Sequence, residues 1–289
     1  MLNSESYKDL GDVSASAGKR GQGKFHSVFI TGKKRPGQDV GKMQVMSEVK
    51  ENATDSDYLL HNVGEIKFIP YFIKRYWEKN VGGKDKNGKD FTKTVAFGWN
   101  KDVPKIDDAC KFAYLIAGVV LVDGKALTHP KDNEKAEIKK GDPVLIYFKC
   151  AGMKFNGAMK LLDALEEKRK SLTPLSTNPE FEKEIVTPRR FICTATVTEA
   201  ESAHGDKNVF EFVPTTALPE KAVEQVMNSA QTFKVDFEKQ FDKTNSIKSS
   251  SSQGHSANTE STNDAVPFEA AEPAPESKPK TEENFDLGI

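Results

Sequence analysis

The chain has 289 residues and a formal net charge of −1, with 37% hydrophobic residues against 29% charged, so part of it is expected to stay outside any packed core. No run approaches the roughly 18 consecutive apolar residues that span a bilayer. The opening "MLNSESYKDLGDVSASAGKRGQGK" also lacks the apolar centre of a secretory signal, so a cytoplasmic protein with no membrane partner is expected. The three cysteines, Cys110, Cys150 and Cys193, form no CxxC pair. That argues against a disulfide framework or a cysteine metal site and reads them as small buried hydrophobes.

The net charge hides an asymmetry. Residues 244–289 carry eight acids and three lysines, a balance of −5 that leaves +4 for the body. A mildly basic body joined to an acidic tail is more informative than the sum.

In chain order, residues 1–24 are rich in Gly, Ser, Lys and Asp and read as a flexible arm ending in "GKRGQGK". "FHSVFIT" is a strand, followed by the basic turn "GKKRPG". Residues 39–62 show only weak periodicity. "VGEIKFIPYFIKRYWEK", residues 63–79, is the strongest strand signal, dense in Ile, Phe, Tyr and Trp. Pro70 inside it marks an edge or a bulge. "FTKTVAFGWN" pairs with it as a long hairpin around the basic turn "NVGGKDKNGKD". "AYLIAGVVLVDGKALT" gives a strand and a tight Asp123–Gly124 turn, and "GDPVLIYFKCAG" a further strand.

"FNGAMKLLDALEEKRKSL" is a helix, with Met159, Leu162 and Leu165 at three-residue spacing. "NPEFEKEIVTP" reads as a loop, and residues 189–215 as a hairpin around His204–Gly205–Asp206. A second helix is marked by Val223, Val226, Met227, Ala230, Phe233, Phe237 and Phe241. After Lys243 the pattern stops, and residues 244–289 read as a disordered acidic tail. The fold expected for residues 25–243 is therefore mainly β with two helices (α+β), with an elaborated small barrel of the oligonucleotide-binding type as one solution and a sandwich left open.

No catalytic motif stands out. GxxxxGK[ST], GxSxG and HExxH are absent, and the five histidines are scattered. His129 and His204 sit in turn sequences, where solvent exposure is expected. No cofactor or metal is called for, and a non-enzymatic protein is expected.

The informative feature is aromatic and basic residues interleaved on strands. Strict alternation puts Lys67, Tyr71, Arg75 and Trp77 on one face, with Phe68, Phe72 and Tyr76 on the other, which is read as core. Single-stranded nucleic acid needs rings for its bases and cations for its phosphates. Tyr71, Trp77, Trp99, Tyr147 and Phe155 are the candidate stacking rings. Lys34, Arg35, Lys67, Arg75, Lys93, Lys149, Lys154, Arg189 and Arg190 are the candidate phosphate contacts. In the tail, Phe268, Phe285, Asp286, Leu287 and Ile289 form an apolar tip among acids, suited to a protein partner.

With "KFIPYFIKRYW", "VAFGW" and the ending "TEENFDLGI" in view, the chain is similar in layout to phage-type single-stranded DNA-binding proteins. The internal "AVPFE" resembles the acidic Pro-Phe tip of bacterial single-stranded DNA-binding proteins. The resemblance implies an oligonucleotide-binding barrel with a basic, aromatic cleft. It also implies an acidic tail that regulates access and recruits replication or recombination proteins, with no chemistry of its own. Three alternatives stay open: an adaptor or virion-associated interaction protein, a metal-dependent nuclease, and RNA rather than DNA as the ligand.

Overall fold

The computed structural model describes residues 1–7, 10, 24–32, 37–47, 54, 57–84, 90–97, 111–133, 137–201 and 207–241. The expected tail lies outside these residues. The architecture is mainly β. In chain order the strands are β1 (Phe25–Ile30), β2 (Met43–Met46), β3 (Tyr58–Val63), β4 (Glu65–Lys84), β5 (Asp90–Phe97), β6 (Lys111–Val122), β7 (Lys125–Ala126), β8 (Leu145–Ala151), β9 (Phe191–Ala200) and β10 (Lys207–Ala217). The helices are α1 (Ser4–Tyr7), α2 (Phe155–Lys170), the short α3 (Pro179–Phe181) and α4 (Thr187–Arg189), and α5 (Glu220–Phe241). All ten strands belong to one sheet, whose main path runs β10-β9-β4-β6-β8-β1-β2-β3. The pairing is antiparallel except for β1 with β8.

The sheet curls into a half-barrel. Phe148 on β8 and Phe212 on β10 belong to strands four steps apart in the order, which a flat sheet would hold about 19 Å apart. Their ring centroids are 5.1 Å apart. Phe68, Phe210 and Phe212 cluster with Phe148 inside the curl. There Ala158, Leu161 and Leu165 of α2 join the same core. The outer face of the sheet is buried too: α5 lays Val223, Val226, Met227, Ala230, Phe237 and Phe241 against Ile69, Phe72, Leu115 and Leu145. Each of these larger side chains stabilises the fold by about 1.5–3 kcal/mol on full burial. Helix α5 forms because those residues recur every three or four positions and make one apolar stripe.

β4 serves both cores by alternation, and a bulge switches which residues face which core. Pro70 lies opposite Gly118 and Phe72 opposite Ala117, so Tyr71 is an extra residue. One inserted residue reverses the alternation. Before the bulge Ile66 and Phe68 point into the curl and Ile69 toward α5. After it Phe72 and Tyr76 point toward α5 and Ile73 into the curl. The bulge expected at Pro70 is therefore present, while the strict alternation of residues 67–77 is corrected. The Asp123–Gly124 turn is also as expected: both residues have positive φ, 51° and 77°, and Val122 pairs with Lys125 across it.

Three expectations are corrected. The arm expected over residues 1–24 is not free at its start, since Leu2, Tyr7 and Leu10 are buried in the α5-side core and the Tyr7 hydroxyl donates to Asn228 Oδ1 at 2.9 Å. The loop expected at "NPEFEKEIVTP" is helical from α3 through a π-turn at Glu182–Val186 to α4. It starts because the Asn178 side chain accepts from the Glu180 and Phe181 amides, with Pro179 at the first helical position. His129 is not exposed: it is buried beside His26, Nε2 to Nε2 at 3.3 Å.

Candidate nucleic-acid interface

Four of the sequence-predicted binding residues pack inward: α5 lies over the face that carries Tyr71 and Tyr147, and Arg189 and Arg190 close the helical turns before β9 with their side chains buried. Tyr71 is 2% exposed. Its ring stacks on Phe233 of α5 at 6.3 Å, and burial raises its hydroxyl pKa despite a hydrogen bond with Ser229. Tyr147 is half-buried with its ring edge-on to Phe241 at 4.8 Å. Arg189 is buried, donates to the Ile185 carbonyl at 2.6 Å, and lies over the Phe72 ring. Burial pushes its guanidinium down to about 9. Arg190, also buried, donates to the Thr173 carbonyl at 2.8 Å and faces Glu182 Oε1 at 3.5 Å. Tyr71, Arg189 and Arg190 therefore offer no surface to a strand. Glu182 in turn accepts from the amides of Leu175 and Ser176, so the Arg190–Glu182 pair anchors the chain ahead of β9.

Three other predicted residues come together at the rim of the curl. Arg75 on β4 stands 4.7 Å over the ring of Phe112 on β6, which is 37% exposed. Arg75 also hydrogen-bonds Tyr114. Tyr114 contacts Phe155 at the start of α2, with ring centroids 5.2 Å apart. Lys154, one residue earlier, lies 4.8 Å over Phe210, and burial holds its ammonium below the usual lysine range. The rim thus offers an exposed ring backed by a guanidinium, with an ammonium nearby that is packed against the buried Phe210 ring. Phe112 and Tyr114 were missed in the sequence. The signal for them is cross-strand pairing: Phe112 lies opposite Trp77 and Tyr114 opposite Arg75. Lys67 is exposed, 3.7 Å from Glu65. Lys149 is exposed on β8 opposite Leu115, on the α5 side of the sheet and away from the rim cluster.

β4 runs past its last pairing with β6, at Glu78, and continues to Lys84 paired with β5. Lys79–Lys84 therefore forms one side of a two-stranded arm about 20 Å long. Lys93 lies on this arm opposite Val81, and Trp77 at its root opposite Phe97. Lys34, Arg35 and Trp99 lie outside the described residues, as do Phe268, Phe285, Asp286, Leu287 and Ile289.

Cys150 and Cys193 are buried and free. Burial pushes the Cys150 thiol up to about 12 and raises that of Cys193, which fits their reading as hydrophobes; Cys110 lies outside the described residues. Among the described residues no cluster of three or more His, Cys, Asp or Glu side chains is arranged to hold a metal ion. No described helix is long and apolar enough to cross a membrane. Compared with known proteins, the chain matches no family model, no curated protein and no solved structure at a significant level.

Proposed function

We propose that the chain is a single-stranded DNA-binding protein of replication or recombination, with no chemistry of its own. The observation that carries this reading is the connectivity of five strands and one helix. Numbered by sequence, β4, β6, β8, β9 and β10 stand across the sheet in the order third, second, first, fourth, fifth, with α2 between the third and fourth. That order supports reading the sheet as an oligonucleotide-binding barrel left open at one seam. β1, β2 and β3 are then an elaboration added to the outer edge of the third strand. In such barrels the second and third strands and the loop joining the first to the second meet the ligand. Here that loop is the β4–β5 arm, whose sequence is rich in lysine. The rim cluster of Arg75, Phe112, Tyr114, Lys154 and Phe155 lies where the arm leaves the sheet.

On this reading a base stacks on Phe112 while Arg75 and Lys154 meet phosphates. Phe155 and Tyr114 support the platform from behind. The acidic tail occupies the basic surface when DNA is absent, and its tip recruits partners.

Phe112→Ala is expected to weaken binding to oligo-dT by about 5- to 150-fold, the loss of one stacked base. Arg75→Ala is expected to lower the slope of log affinity against log salt by about 0.7, the loss of one phosphate contact on a single strand. Fluorescence anisotropy of a labelled oligo-dT over a salt series measures both. Wild-type affinity and slope in both variants would remove the rim from the interface.

A further inference from the structure

A second surface lies next to the rim and differs from it in charge. Between the first two turns of α2 and the β9–β10 hairpin runs a groove of about 840 Å³. Its wall and floor carry the apolar side chains of Met153, Met159, Phe212 and Val213; Met159 and Val213 are 37% and 48% exposed. Its charged residues are Asp163, Glu199, Glu201 and Glu211 against Lys160 alone. A nucleic-acid strand is repelled from such a lining, and so is the chain's own acidic tail.

The groove also runs along a sheet edge. β10 pairs with β9, and no described strand pairs with its other side. Pro214 has no N–H to give, so the residues that bond to β9 are the odd-numbered ones, and the main chain of Phe210, Phe212 and Pro214 faces outward. The Phe210 carbonyl is covered by Gly157, where a Cβ would come within 2.3 Å of it. From Phe212 onward the outward edge lies open on the groove.

We propose that this groove docks an extended peptide of a protein partner in which lysine or arginine alternates with apolar residues. The apolar side chains fill the space against Met159 and Val213, and the cations meet Glu199, Glu201 and Glu211. The peptide main chain hydrogen-bonds to the free edge at Phe212, the mode by which peptides extend exposed sheet edges. Charge complementarity selects this occupant. Two copies meeting groove to groove would set one acidic lining against another, which disfavours a second copy of the chain.

The test uses the full chain and a fluorescein-labelled peptide that alternates lysine with valine. Saturable binding is expected, at least tenfold tighter than to an oligolysine of equal charge, and no binding is expected for the peptide with glutamate in place of lysine. Glu199→Lys combined with Glu211→Lys is expected to weaken binding more than tenfold, and Val213→Asp to weaken it comparably. All three positions are solvent-facing, so circular dichroism and melting temperature are expected to stay at wild-type values. The paired neutral variant, Glu199→Gln with Glu211→Gln, gives a milder loss should charge reversal disturb folding. Equal affinity for oligolysine, or wild-type affinity in all variants, would overturn the proposal. So would a concentration-dependent dimer that Glu211→Lys abolishes, because it would assign the groove to a second copy.

Discussion

Gly118→Ala is expected to cost about 3–5 kcal/mol, a large share of the roughly 5–15 kcal/mol that holds a domain together. Gly118 sits at mid-length on β6, opposite Pro70 on one side and Ile146 on the other. A Cβ placed there would lie 2.1 Å from the Ile69 carbonyl oxygen and 3.0 Å from the Pro70 Cα. Those atoms are main chain at the bulge, next to the inserted Tyr71. They cannot swing aside as a long side chain would. Relieving the overlap means moving β4 relative to β6, and with it the residues that feed both cores. Urea denaturation of Gly118→Ala beside wild type measures the loss. A variant within about 1 kcal/mol of wild type would mean that the sheet gives way easily at its centre.

Acid is expected to destabilise the protein through the buried histidine pair. His26 on β1 is hydrogen-bonded to the Met46 backbone, and its Nε2 faces that of His129. With the first nitrogen donating to the Met46 carbonyl, the second accepts from His129. A proton arriving at that nitrogen would break the bond and place a charge in a dry site. Burial, then the neighbouring His129, lower the His26 pKa to about 4. Burial lowers that of His129 as well, against the pull of Asp142. The unfolded chain takes up the His26 proton near pH 6.5, whereas the folded chain holds off until about pH 4. The unfolded state therefore binds more protons in that window. Stability is whole above about pH 6.5 and falls as pH drops toward 4, by about 3 kcal/mol in all for this group. Urea midpoints measured from pH 7 to 4 give the slope, and His26→Asn is expected to flatten it. An unchanged slope in that variant would assign acid sensitivity to other groups.

Periodicity reached the larger elements and missed what depends on partners distant in sequence. The long β4 strand, the hairpin to β5 and the apolar stripe of α5 are legible because each carries its own period. The orientation of Arg75 relative to Tyr71 was not, because a bulge adds one residue and reverses every face beyond it; Pro70 marked the place without giving the direction. Arg189 and Arg190 looked like a basic surface patch. They are interior because Glu182 and the carbonyls of Thr173 and Ile185 come to meet them. β2 and β3 were weakly periodic for a different reason. Gln44 is fully buried and exchanges hydrogen bonds with Asn62, so a polar pair stands where an apolar alternation would have been visible.

The rim was partly legible: Arg75, Lys154 and Phe155 were singled out from residue type alone, while Phe112 and Tyr114 needed the register of β4 against β6. Tyr71 and Tyr147 show the opposite case. A helix as amphipathic as α5 must cover something, and it covers the rings that alternation had assigned to the ligand.

The central claim is that the folded body binds single strands. Fluorescence anisotropy of a labelled oligo-dT tests it, over a salt series and in EDTA, with the full chain and with a chain ending at Lys243. Every described residue of both cores lies at or before Phe241, so the shorter chain keeps all of them. Saturable binding by both is expected, weakened by salt and tighter once residues 244–289 are gone. No binding by either chain, even at the lowest salt, would contradict the account.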